Sequence, residues 1–133
     1  MSRILIVDED AAVRRLLRIK LKAAGYEISQ ARDGQEALAL FKEMQPDIVI
    51  IEPILPDLDG ITILSDMQSD TESIPVILVL SSQTADTHIT HALQAGADDY
   101  VTKPFSPQAL VERIRVNLIR AGLDASPAQG KSN

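Results

Sequence analysis

The side chains best able to act together in this chain are the carboxylates of Asp8, Glu9, Asp10 and Glu52, the hydroxyl of Ser81 and the ammonium of Lys103. They are scattered in sequence, yet each follows a short apolar run: ILIV before Asp8, IVII before Glu52, VILVL before Ser81 and YVT before Lys103. In open α/β sheets a ligand site lies beyond the carboxyl ends of the strands, where the strand order reverses. If those runs are neighbouring parallel strands, the carboxylates, the hydroxyl and the ammonium share one rim. Carboxylates at close quarters need a counter-charge, and oxygen donors without His or Cys favour a hard cation such as Mg²⁺. A salt bridge from Lys103 is the other way to balance them, and the residues alone leave both open.

Positioning these groups requires strands that alternate with helices, and the hydrophobic pattern has that form. Short β-branched runs alternate with longer stretches of helical period, the signature of βαβ units. The first strand, Ile4 to Val7, leads to a helix capped by Asp10, with Val13, Leu16, Leu17, Leu21 and Ala24 on one face and Gly25 at its end. Tyr26 to Ala31 reads as the second strand. Asp33-Gly34 then turns the chain into a helix carrying Ala37, Leu38, Leu40, Phe41 and Met44, ended by Pro46. The third strand, Ile48 to Ile51, is apolar on both faces, as a central parallel strand must be. The Pro-containing loop from Glu52 to Gly60 follows, then a short helix through Met67. Val76 to Leu80, a helix from about Thr84 to Ala95 stopped by Gly96, the strand Tyr100 to Thr102 and a helix from about Pro107 to Arg120 complete five rounds. Residues 1–121 are expected to form one domain, and 122–133, small and polar without period, a tail or linker.

Composition narrows the function classes. A chain of 133 residues with 45% apolar residues can build one core, and with no Cys it has neither disulfides nor a thiolate centre. Nineteen acidic against thirteen basic residues give a net charge of −6, which disfavours direct binding to a nucleic-acid backbone. No apolar run approaches a membrane span and no signal-peptide pattern follows Met1, so a cytoplasmic protein without membrane association is expected. His88 and His91, three apart on a predicted helix, lack a third ligand and read as solvated.

Taken together and in order, four motifs resemble the receiver domain of two-component response regulators: Asp8-Glu9 after ILIV, EPILPDLDG from Glu52 to Gly60, Ser81 after VILVL, and AGADDYVTKPF from Ala95 to Phe105. The resemblance, spanning about Arg3 to Arg120, implies a flavodoxin-like (CheY-like) doubly wound sheet of five parallel strands in the order 2-1-3-4-5 with five helices. It also implies that Glu52 stands at the phosphoacceptor position, with Asp8, Glu9, Glu52 and the Ile54 backbone carbonyl around Mg²⁺. Ser81 would bind a phosphoryl oxygen, Lys103 would pair with the charge, Ser81 and Tyr100 would act as the switch, and Pro104 would follow a cis peptide. The implied partners are a sensor histidine kinase or phosphotransfer protein, an output domain or partner protein, and a second copy docked through the fourth helix, fifth strand and fifth helix.

The family pattern has Asp where this chain has Glu52, and usually Asp where it has Glu9, so both carboxylates are one methylene longer. Octahedral Mg²⁺ tolerates little displacement of its ligands and nucleophilic attack depends on close placement, so weak metal binding and weak or absent phosphorylation are expected. Glu52 is instead expected beside Lys103, as a phosphomimetic or degenerate receiving position, with Ser81 and Tyr100 in mixed or inactive-like positions. An enzymatic alternative, a haloacid-dehalogenase-like phosphatase using Asp8 as nucleophile and Asp10 as general acid, fits the DxD spacing. It expects an acidic pair after its lysine, whereas Asp98-Asp99 precede Lys103, and Ala12 follows the motif where Thr or Val is expected. A flavin or dinucleotide binder is excluded because the first strand-to-helix turn is acidic and free of Gly.

Overall fold

The computed structural model describes residues 2–69 and 74–123. The strands are β1 (Arg3–Val7), β2 (Glu27–Ala31), β3 (Ile48–Ile51), β4 (Val76–Ser81) and β5 (Asp99–Thr102). Alternating with them are α1 (Ala11–Ala23), α2 (Gly34–Met44), α3 (Gly60–Gln68), α4 (Asp86–Ala95) and α5 (Pro107–Arg120). Every strand pairing is parallel and the sheet order is β2-β1-β3-β4-β5, so the flavodoxin-like architecture expected from the residues is the one observed.

Alternation along the central strands builds two cores. Ile4, Ile6, Ile48, Ile50, Leu78 and Leu80 meet Leu17 and Leu21 of α1 and Leu110, Ile114 and Leu118 of α5 on one face. Leu5, Val7, Val49, Ile51, Ile77 and Val79 meet Ala37 and Phe41 of α2, Ile63, Leu64 and Met67 of α3, and Ala92 of α4 on the other. Successive side chains of a strand point to opposite faces, so a run such as IVII feeds both layers and reads as uniformly apolar.

The helix starts follow local chemistry. Asp10 Oδ1 accepts from the N–H groups of Ala12 (2.9 Å) and Val13 (3.4 Å), Asp33 Oδ1 from Glu36 (2.9 Å), and Ser106 Oγ from Ala109 (3.2 Å). α2 ends at Gln45, whose φ of 49° is the left-handed closure of a helix C-terminus.

Four local expectations need correction. α4 begins at Asp86 rather than Thr84, because Ala85 at its N-cap has no side-chain acceptor and Asp86 supplies the acid of the first turn. β5 begins one residue early, at Asp99, and β2 one residue late, at Glu27. Leu16 is exposed, not on the core face of α1; at 100° per residue it lies about 60° from Val13 and about 100° from Leu17, outside the buried stripe. The expected tail, 122–133, lies outside the described residues apart from Gly122 and Leu123.

Candidate functional site

The site forms where the sheet's last hydrogen bonds are made. The N–H of Asp8 donates to the Ala31 carbonyl of β2 (3.1 Å), that of Glu52 to the Val7 carbonyl of β1 (2.9 Å), and that of Lys103 to the Ser81 carbonyl of β4 (2.8 Å). Each functional residue therefore extends its ladder by one rung beyond the strand, and the register of the parallel pairings sets the three side chains on one edge. That edge straddles the neighbours β1 and β3, where the chain's winding reverses.

Lys103 Nζ stands between two carboxylates, 2.8 Å from Asp8 Oδ2 and 3.1 Å from Glu52 Oε2. Asp8 and Glu52 are only 3% and 7% exposed, so this ammonium meets groups with little water to stabilise them. Their remaining oxygens are also engaged: Asp8 Oδ1 accepts from the N–H of Asp10 (2.9 Å), and Glu52 Oε1 from the N–H of Ile54 (3.0 Å). Burial pushes the Lys103 ammonium down, but the hydrogen bonds and charges of Asp8 and Glu52 outweigh it and hold the group above the ordinary lysine value. Of the two ways to balance the carboxylates, the salt bridge is the one this arrangement uses.

A cleft of about 210 Å³ opens over this pair, lined by Asp8, Glu9, Asp10, Glu52, Ile54, Ser82 and Lys103. Glu9 is exposed on its rim. The oxygen donors match a hard divalent cation in kind, yet among the described residues no three acidic or imidazole side chains converge closely enough to hold an ion. Lys103 occupies the space between the two inner carboxylates, so the donors do not fit Mg²⁺ as arranged.

Ser81 and Tyr100 meet at a residue that sequence reasoning passed over. Ser81 is fully buried and its Oγ accepts from the N–H of Gln83 (3.1 Å), while the half-buried Tyr100 donates its hydroxyl proton to the Gln83 carbonyl (2.6 Å). Ser82, not Ser81, lines the cleft. Two further residues were missed. Arg14 of α1 donates Nη1 to the Asp8 carbonyl (2.6 Å), bringing a second cation to the acidic end. Asp57 accepts from the N–H groups of Gly34 (2.7 Å) and Gln35 (2.9 Å). The i, i+6 separation of Arg14 from Asp8 crosses a helix cap, and Asp57 reaches a different helix, so neither bond has a local sequence signal. The Lys103-Pro104 peptide is cis, as the resemblance implies, and His88 and His91 are exposed on α4.

The response regulator receiver domain model matches residues 4–115, and the chain belongs to that family. Response regulator MprA of Mycobacterium sp. (strain KMS) is 41% identical over 125 residues, covering 94% of this chain and 54% of that protein. "Probable transcriptional regulator ycf27" of Guillardia theta is 42% identical over 119 residues, covering 90% and 46%. The chain thus spans about half the length of the curated relatives it matches. Among solved structures, the CheY-like response regulator receiver domain protein of Methanospirillum hungatei JF-1 superposes with a TM-score of 0.86 at 28% identity, covering 92% of this chain and 97% of that one. The phosphatase alternative is not favoured by these matches, and Asp10, its general acid, here caps α1.

Proposed function

We propose that this chain is a receiver module of two-component phosphorelay signalling whose receiving position is Glu52, a carboxylate that takes up little or no phosphoryl group. The observation that carries this reading is Lys103 Nζ seated between Asp8 and Glu52 at 2.8 and 3.1 Å. A phosphoryl group brings roughly two negative charges and three acceptor oxygens, whereas Glu52 brings one charge and two oxygens. It imitates part of a phosphorylated site and holds the lysine there without one. Ser81 is bonded to Gln83 and turned from the cleft, so in this reading it would bind a phosphoryl oxygen, and act with Tyr100 as the switch, only after that bond is given up.

The partners in this reading are a sensor histidine kinase or phosphotransfer protein upstream and an output region downstream. The relatives' greater length and the transcriptional-regulator title of one of them support the second. Docking of two copies through α4, β5 and α5 is the weaker interaction. Asp99 already holds Arg113 at 3.7 Å and Asn117 at 2.9 Å, and Glu112 pairs with Arg115 within one chain. Mg²⁺, expected at Asp8, Glu9, Glu52 and the Ile54 carbonyl to neutralise charge, would first have to displace Lys103 from between the carboxylates, so only weak affinity is expected.

The test is incubation with acetyl phosphate and Mg²⁺ followed by intact-protein mass spectrometry. The wild-type chain is expected to remain unmodified and Glu52→Asp to gain one phosphoryl group. Near-complete modification of wild-type Glu52 would overturn the reading.

A further inference from the structure

The loop that carries Glu52 is strapped down at its far end by a residue outside the phosphoacceptor machinery. Leaving β3, the chain makes an isolated antiparallel bridge between Ile54 and Asp59, and the N–H of Gly60 donates to the Pro53 carbonyl (2.9 Å). At the tip, Asp57 turns its carboxylate to α2, accepting from Gly34 (2.7 Å) through Oδ1 and from Gln35 (2.9 Å) through Oδ2. Those are the first two N–H groups of a helix, which have no partner within it. Asp33 takes the third, that of Glu36, and Glu36 reaches back to the N–H of Arg32 (2.8 Å). The helix end is thus completed by a carboxylate more than twenty residues away, and its partial positive charge favours an anion there.

The two segments also touch through apolar groups. A Cβ on Gly34 would lie 2.8 Å from Leu58 Cβ and 2.6 Å from Ile63 Cδ1, so loop and helix sit as close as a glycine allows. Desolvation pushes the Asp57 carboxyl up, but the backbone N–H donors of Gly34, Gln35, Asp57 and Leu58 together outweigh it and hold the group below the ordinary aspartate value.

We propose that Asp57 is a positioning residue for the receiving carboxylate: by clamping the Glu52–Gly60 loop to the N-terminus of α2, it holds the Ile54 N–H against Glu52 Oε1 and so aims the other oxygen at Lys103. The chain of contacts is Gln35 and Gly34 to Asp57, Asp57 through the bridged loop to Ile54, Ile54 to Glu52, and Glu52 to Lys103. Released from α2, the loop retains its internal bridge but loses its anchor, and the direction of the Ile54 N–H is no longer set. The structural assignment stands without the signalling role; its consequence for phosphoryl transfer rests on the receiver reading above.

The experiment compares the whole chain with Asp57→Ala, which loses both acceptors, and Asp57→Asn, which retains one neutral oxygen. The readouts are the NMR signals of the Gly34, Gln35 and Ile54 amides and of the Lys103 ammonium. Asp57→Ala is expected to move all four, and Asp57→Asn to move them part of the way. Should the Gly34 and Gln35 signals move while Ile54 and Lys103 stay in place, Asp57 is a helix cap and nothing more, and the proposal falls; Asp57→Asn decides this if Asp57→Ala does not fold. In a Glu52→Asp background, adding Asp57→Ala is expected to slow phosphorylation by acetyl phosphate by roughly tenfold, the scale of a misplacement of about half an ångström where one ångström costs about a hundredfold, with partial rescue by Asp57→Asn. An unchanged rate overturns the proposal. If Glu52→Asp with Asp57 intact takes up no phosphoryl group, the receiver reading fails instead, and the NMR comparison still decides the clamp.

Discussion

Replacing Lys103 by Met removes the one ammonium between Asp8 and Glu52 while preserving most of the apolar stem. At N···O distances of 2.8 and 3.1 Å, and with an effective dielectric of about 20, each attraction is on the order of 5 to 6 kcal/mol before desolvation and carboxylate repulsion are subtracted. Breaking a buried ion pair by deleting one partner costs about 3 to 5 kcal/mol. The lysine side chain is 20% exposed, so water relieves part of that loss, and about 2 to 4 kcal/mol at pH 7 is the expected destabilisation. The pH dependence follows from the charges. In the variant, two buried carboxylates are left without their counter-charge, the source of the expected loss at neutral pH. At the alkaline end the wild-type ammonium, held above its ordinary value of 10.5, contributes stability that is complete below that pH and is lost as the pH rises through the elevated folded pKa. Urea denaturation of both proteins at neutral, acidic and alkaline pH, read as midpoint and slope, measures this. A loss below about 1 kcal/mol at pH 7 would refute the assignment of Lys103 as the counter-charge. Adding Glu52→Gln to Lys103→Met should recover part of the loss by removing one stranded charge.

Gly60→Ala places a Cβ 2.5 Å from Pro53 Cα and 2.6 Å from its carbonyl oxygen; because backbone must then move, thermal unfolding should show a loss of about 1 to 3 kcal/mol. Tyr100→Phe deletes the hydroxyl that donates to the Gln83 carbonyl and should cost about 0.5 to 1.5 kcal/mol, with hydrogen exchange increasing first at the residues between β4 and α4. Millimolar Mg²⁺ should leave the melting temperature of the wild-type chain nearly unchanged and raise it for a Glu9→Asp, Glu52→Asp variant, since only a ligand near or above its Kd stabilises the folded state. A marked rise for the wild type would show that Lys103 yields its place to the metal.

Sequence alone determined the architecture, because the features that specify it are local or periodic. Short apolar runs such as IVII, alternating with longer stretches of helical period, fit central strands covered on both faces. Asp10 and Asp33 mark helix starts because each accepts from N–H groups two or three residues ahead. The order of elements then leaves few right-handed arrangements, and Asp8, Glu52 and Lys103 fall on one edge in the expected one. What the sheet decided is how those charges are spent. Lys103 bonds Asp8 across 95 positions and Glu52 across 51, separations at which no pattern of residue types specifies a geometry. The same holds for Asp57 on α2 and for the meeting of Ser81 and Tyr100 at Gln83. Helix period placed Leu17 and Leu21 in the core correctly and Leu16 wrongly, because the width of a buried stripe is set by the neighbour it packs against. Local hydrogen bonding and hydrophobic period are written residue by residue; the partner a carboxylate meets depends on which chain ends the folded sheet brings within about 3 Å.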